Sequence, residues 1–158
     1  MKSIQLTKGQ VAIVDDWNYD WYNQWKWQAH WNKTTQSYYA TRHDNNDPSR
    51  KMLHMHREIM KTPDEMYCDH KNHNTLNNLE GNLRNVTHSQ SGMNRRLRSD
   101  NKLHEKNISP SGKKFQVEFR INRKIVFCKR FKTIEEAKII RDEKIRELHG
   151  EYASLGDL

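Results

Sequence analysis

The hydrophobic period changes several times along the chain, and each change predicts an element. Residues 4–14 (IQLTKGQVAIV) carry two short apolar runs broken at Lys8-Gly9, which predicts two strands turning there. All five tryptophans then fall between Trp17 and Trp31. Trp17, Trp21 and Trp25 recur every four residues, one face of a short helix opened by Asp15-Asp16. Trp25, Trp27 and Trp31 are separated by even numbers, one face of a strand. The period thus switches from helix to strand near Trp25. A regular aromatic stripe is expected in the core, with base stacking on exposed indoles as the alternative.

Further strands are expected at 38–42 and 51–54, flanking a DNNDPSR loop (44–50), and a short helix at 56–61 stops before Thr62-Pro63. Residues 87–98 fit a polar, basic helix capped by Thr87, weakened by Gly92. Residues 99–113 read as a polar linker ending in a Ser-Pro-Ser-Gly turn. KFQVEFRI (114–121) then alternates strictly, Asn122-Arg123 makes a hairpin turn, and KIVFCKRF (124–131) is the partner strand. Thr133 with Glu136 forms a capping box. It opens a helix to about His149, ended by Gly150, with Ile134, Ala137, Ile140, Ile145 and Leu148 toward the sheet.

Composition limits the partners. The chain has 158 residues, 34% of them hydrophobic, so its cores must be small and separate. Its net charge of +8 divides unevenly: residues 1–91 hold 11 basic and 10 acidic side chains, residues 92–158 hold 17 and 10. The halves carry +1 and +7, so a polyanionic partner is sought in the C-terminal part, the bland alternative being a solvated basic face. Cys68 and Cys128, without a CxxC pair, exclude a disulfide framework and a cysteine-rich zinc site. No apolar run approaches the ~20 residues of a membrane span, and no signal peptide opens the chain. A soluble protein of the cytoplasm is expected.

The chemistry concentrates in 68–96 (CDHKNHNTLNNLEGNLRNVTHSQSGMNRR), which holds three histidines, seven asparagines and three arginines. Phosphodiester hydrolysis needs an activated water, a neutral base and a Lewis acid. Asp69-His70 puts a hard-metal ligand beside a base. Consecutive strand residues point to opposite faces, so a twist or bulge is expected if both are to meet one phosphate. The alternative is that Asp69 caps a turn and His70 is merely polar.

DHKNHNTLNN followed by GNLRNVTHSQ resembles the HNH endonuclease family, in which Asp-His is followed by an Asn-rich loop, Asn-Leu-Arg and a helix opening at threonine. MHREIM (55–60) resembles its lead-in helix, and LTKGQVAIVDD is similar to the opening of phage and bacterial members. The resemblance implies an α+β fold: a ββα-metal finger with a β-rich N-terminal extension, spanning 1–98 (strands 1–54, lead-in helix and finger 55–98). It implies cleavage of double-stranded DNA with one divalent ion, Mg²⁺ or Mn²⁺, Asp69 as metal ligand and His70 as general base. Asn82 is the middle asparagine holding that base by hydrogen bonding, and Arg84 supports the phosphate or packs locally. The second ligand falls on Ser91, where the family usually has Asn or His. A serine hydroxyl is a weaker donor, so a water bridges to it, His88 or Asn94 substitutes from the same helix face, or the site is inactive. His73 is a loop residue where the family often has glycine, and His56 is structural or phosphate-facing. Asn94, Arg95, Arg96 and Arg98 are expected on DNA.

Residues 106–152 resemble the DNA-binding domain of plant ethylene-response factors, through GKKFQVEFR (112–120), VFCKRF (126–131) and TIEEA (133–137). That resemblance implies a three-stranded antiparallel sheet on one helix, its first strand near 106–109 and its sheet in the major groove. Lys113, Lys114, Arg120, Arg123, Lys124 and Arg130 are the expected contacts; Lys129 replaces a common glycine. The expected whole is a DNA endonuclease, monomeric, with a DNA-binding protein of impaired cutting as the alternative.

Overall fold

The computed structural model describes residues 1–94, 97, 101 and 103–152, apart from the Glu151 side chain. The architecture is mixed α+β, with four small antiparallel sheets and four α-helices among the described residues. The chain divides into two compact units, Met1–Thr87 and His88–Leu158. None of the described helices is long and apolar enough to cross a membrane.

In the first unit, β1 (Lys2–Gln5) and β2 (Val11–Val14) pair antiparallel around a tight turn at Thr7–Gly9, where Lys8 and Gly9 are left-handed. Ile4, Ala12 and Val14 point inward at period two. Helix α1 (Asp16–Asn23) leads to a three-stranded sheet of β3 (Gln28–Asn32), β4 (Ser37–His43) and β5 (Met52–His54), with β4 central. Helix α2 (Met55–Ile59) follows directly, and β6 (Tyr67–His70) pairs antiparallel with β7 (Leu83–Val86). One core joins these elements, built from Ile4, Leu6, Val14, Tyr22, Trp27, Met55 and Leu83 among others.

The tryptophan stripe corrects the expectation. Trp27 is buried at 2% exposure, but Trp17, Trp21 and Trp31 are 71%, 62% and 42% exposed. Helix α1 turns Tyr19 and Tyr22 to the core, which puts Trp17 and Trp21 on its far side. Helix α2 also ends sooner than expected, because Met60 caps it and Lys61 is left-handed.

In the second unit, α3 (His88–Met93) precedes a sheet of β8 (Ile108–Ser111), β9 (Lys114–Ile121) and β10 (Lys124–Phe131), with β9 central. Helix α4 (Ile134–His149) covers it, and Ile108, Val117, Phe119, Ala137 and Ile145 form the core. The first strand lies two residues later than expected, inside the segment read as a linker. Ser109-Pro110-Ser111 is strand rather than turn, and Pro110, which lacks an N–H, sits on an edge strand where no ladder donor is lost. The turn falls at Gly112-Lys113, with Gly112 left-handed. Asn122 and Arg123 have φ of 50° and 66°, the primed geometry that a two-residue hairpin needs. The Thr133 hydroxyl accepts from the Glu136 N–H at 3.2 Å, as the capping box predicts. Helix α3 is described through Met93; Arg95, Arg96 and Arg98 lie outside the described residues.

Candidate active site and nucleic-acid interface

The pairing of β6 with β7 sets Asp69 opposite Arg84 and His70 opposite Leu83, and the register runs without a bulge. Asp69 and His70 therefore face opposite sides of this ribbon. His70 turns inward at 4% exposure, its ring 5.0 Å from that of His56 and 6.2 Å from that of Tyr39. Its Nε2–H donates to Asn78 Oδ1 at 3.2 Å, and Asn78 is completely buried. Because an amide oxygen only accepts, this contact selects the tautomer with its lone pair on Nδ1. Burial pulls the His70 pKa below the ordinary 6.5, opposed by the Asn78 bond and the Asp69 charge, so the ring is neutral at pH 7.

Asn78 is itself placed by the chain path. Its N–H donates to Ile13 O at 2.8 Å, and Ile13 N–H donates to Leu76 O at 2.9 Å, so the asparagine loop is stitched to β2. Asn82 acts one step away from the imidazole. Its side chain bridges Asn77 O and Asn72 N–H, and its carbonyl accepts from Lys71 N–H at 2.8 Å. It secures the backbone just after His70, while the ring partner is Asn78, which the sequence reading missed. The adjacent Asn77-Asn78 pair was the available signal.

Most of the asparagine excess is explained by the loop itself. Asn72 and Asn74 each accept from a backbone N–H two residues on, the side-chain mimic of a turn. His73 has φ of 61°, the left-handed conformation that favours glycine. Trp17 joins in from α1: its indole N–H donates to Glu80, which also accepts from Asn18.

On the other face, Asp69 Oδ2 accepts from Arg84 Nε at 3.1 Å and Nη2 at 3.0 Å. Arg84 therefore packs locally on the candidate ligand. The remaining ligand candidates belong to the second unit: His88 is exposed and Ser91 half-buried on α3, while Asn94 is buried. Among the described residues, no group of three or more His, Cys, Asp or Glu is arranged to hold a metal ion.

His56 has its place in the core rather than at a phosphate. It is 6% exposed, and its Nδ1, like that of His54, is buried without a hydrogen-bond partner among the described residues. Burial holds its pKa well below 6.5, reinforced by His70 and His54. The folded form therefore binds fewer protons than the unfolded form once pH drops below 6.5, and stability falls with pH from there. The expected loss from His56 is up to about 1.4 kcal/mol per pH unit. Urea unfolding at pH 7.5 and 5.5 measures it, and His56→Phe should flatten the dependence; an equal slope in the variant would remove His56 as its source.

In the second unit, Lys113, Lys114, Arg120, Arg123, Lys124 and Arg130 are all exposed. The outer face of the sheet is polar, as the alternation of β9 implies, and its side chains are linked in a hydrogen-bonded chain. Glu118 accepts from Arg120 Nε at 2.6 Å and from Gln116 at 3.3 Å, and Gln116 accepts from Arg130 Nε at 3.2 Å. Both arginines are thereby held at one edge of the guanidinium, which reduces the rotamer freedom that binding would otherwise remove. No family profile matches this chain, and comparisons with curated proteins and with solved structures likewise returned no match.

Proposed function

We propose that the protein is a metal-dependent endonuclease of the HNH type acting on duplex DNA, with the β6–β7 ribbon as the strand pair of its finger. One observation carries the reading: a buried, neutral imidazole locked in one tautomer by a buried asparagine, next in sequence to an aspartate. Core packing alone gives no reason for His70 and Asn78 to be buried as a polar pair, and such a pair suits a base that must be neutral at pH 7. In this reading His70 takes the proton from the attacking water through Nδ1, Asn78 holds the ring, and Asn82 holds the following peptide.

Mg²⁺ and Mn²⁺ are commonly held by one or two carboxylates together with substrate phosphates, and Asp69 suits that role. Arg84 donates twice to one oxygen of that carboxylate and so competes for it, and by sequence resemblance alone the second ligand falls at Ser91 or His88. The ion would supply Lewis-acid stabilisation of charge on the phosphoryl oxygens. The opposite facing of Asp69 and His70 on an unbulged strand, the competition from Arg84 and the weak donor at Ser91 favour the second reading, a DNA-binding protein of impaired cutting.

A supercoiled-plasmid nicking assay with Mg²⁺ and with Mn²⁺ separates the two. Ser91→Asn is expected to raise nicking at limiting metal by roughly tenfold, the scale of a modest gain in metal affinity. Activity in the variant alone would support the impaired reading, and silence from both proteins would sink the nuclease assignment.

A further inference from the structure

Alternation along β10 would keep Ile125 on the same face as Phe127 and Phe131, in the core. The structure breaks that rule. Ile125 pairs with Arg120, whereas Phe127 pairs with Phe119, so Val126 is an extra residue in a bulge. Phe127 and Phe131 stay on the core side, while Ile125 is rotated to the face of Arg120 and Glu118. Ile125 and Val126 are 52% and 48% exposed, two adjacent aliphatic side chains at the end of a hairpin on an edge strand. Arg120 lies directly across from Ile125, and Arg123 and Lys124 precede it at the turn; all three are exposed.

Bulges re-aim side chains, and an exposed aliphatic pair on an edge strand is a liability unless something covers it. Three cations around the pair select a polyanion that also offers apolar contact. Duplex DNA does so in its major groove, which is wide enough for a two-stranded ribbon and presents the thymine 5-methyl group. We propose that Ile125 and Val126 read thymine methyl groups in the major groove, with Arg123 and Lys124 holding the flanking phosphates. This rests on the DNA-binding reading of the second unit and names the part of the base that it recognises.

Fluorescence anisotropy of the full chain on a short alternating dA·dT duplex and on its dA·dU counterpart, which lacks the methyl, tests it. Wild type is expected to bind the thymine duplex about fourfold tighter for each methyl group buried. The Ile125→Ser, Val126→Ser double variant removes the methyl groups at positions that are exposed and so costs the fold little. It should lose the preference while its salt slope stays unchanged, because Arg123 and Lys124 remain. Val126→Ser alone should lose part of the preference, which keeps the test valid if the double variant melts early. Equal wild-type affinity for both duplexes overturns the methyl reading, as does an equal loss on both duplexes in the variant. Dimeric wild type with a monomeric double variant would assign the pair to self-association instead. Binding to neither duplex would defeat the DNA-binding reading itself.

Discussion

On the nuclease reading proposed above, His70→Ala is expected to lower plasmid cleavage by about 10²–10⁴-fold, the contribution of a positioned base. DNA affinity should change little, because the candidate phosphate contacts of the second unit, Arg120, Arg123, Lys124 and Arg130, are untouched. The ring is 4% exposed, so alanine also leaves a cavity, and a melting curve must accompany the kinetics. Asn78→Asp separates positioning from packing. A carboxylate facing Nε2–H raises the imidazole pKa, so the acid limb of the pH–rate profile moves to higher pH while the cavity is unchanged. A profile that does not move would reduce Asn78 to a structural residue. Full cleavage by His70→Ala would remove His70 from the chemistry.

Trp27→Ala destabilises the first unit by about 3–5 kcal/mol, the usual cost of truncating a buried aromatic residue. Trp27 is 2% exposed, and its indole N–H donates to Tyr22 O at 2.8 Å, so alanine empties the core and removes one of the hydrogen bonds to that carbonyl. A loss of that size is comparable to the whole stability of a small domain. Trp17→Ala is the contrast. Trp17 belongs to the same stripe but is 71% exposed and donates to the exposed Glu80, so about 1 kcal/mol or less is expected, the scale of a single exposed hydrogen bond. Urea unfolding of both variants decides the point; equal losses would mean that α1 packs by a different face.

The hairpin β9–β10 and helix α4 were readable from the chain because local chemistry suffices there. Strict alternation, two turn residues able to take positive φ, a Thr133 cap and a terminal Gly150 each act over a few residues and agree with one another. The bulge at Val126 was not readable. Nothing within KIVFCKRF distinguishes a strand that keeps its register from one that slips by a residue; the core filled by Phe119, Phe127 and Phe131 decides it.

The Asp69-His70 dipeptide and its asparagine-rich surroundings could likewise be picked out in the sequence, since both residue types are rare together in a core. Its geometry could not. That Asn78 rather than Asn82 meets the imidazole follows from the loop being tied to Ile13, a contact across more than sixty residues. That Arg84 lies on Asp69 follows from the β6–β7 register. For the tryptophans, periodicity supplied the elements but not the side that each element buries.

The sequence by itself determined the α+β class, the hairpin and helix of the second unit, the basic C-terminal half, and the Asp69-His70 pair as the place to look for chemistry. Those rest on side-chain volume, backbone preference and charge, which act locally or simply add. Only the tertiary structure decided which asparagine holds His70, which tryptophan fills the core and which aliphatic residues the second sheet exposes. Each of these is a choice among near-equivalent local candidates, and packing against distant segments makes it.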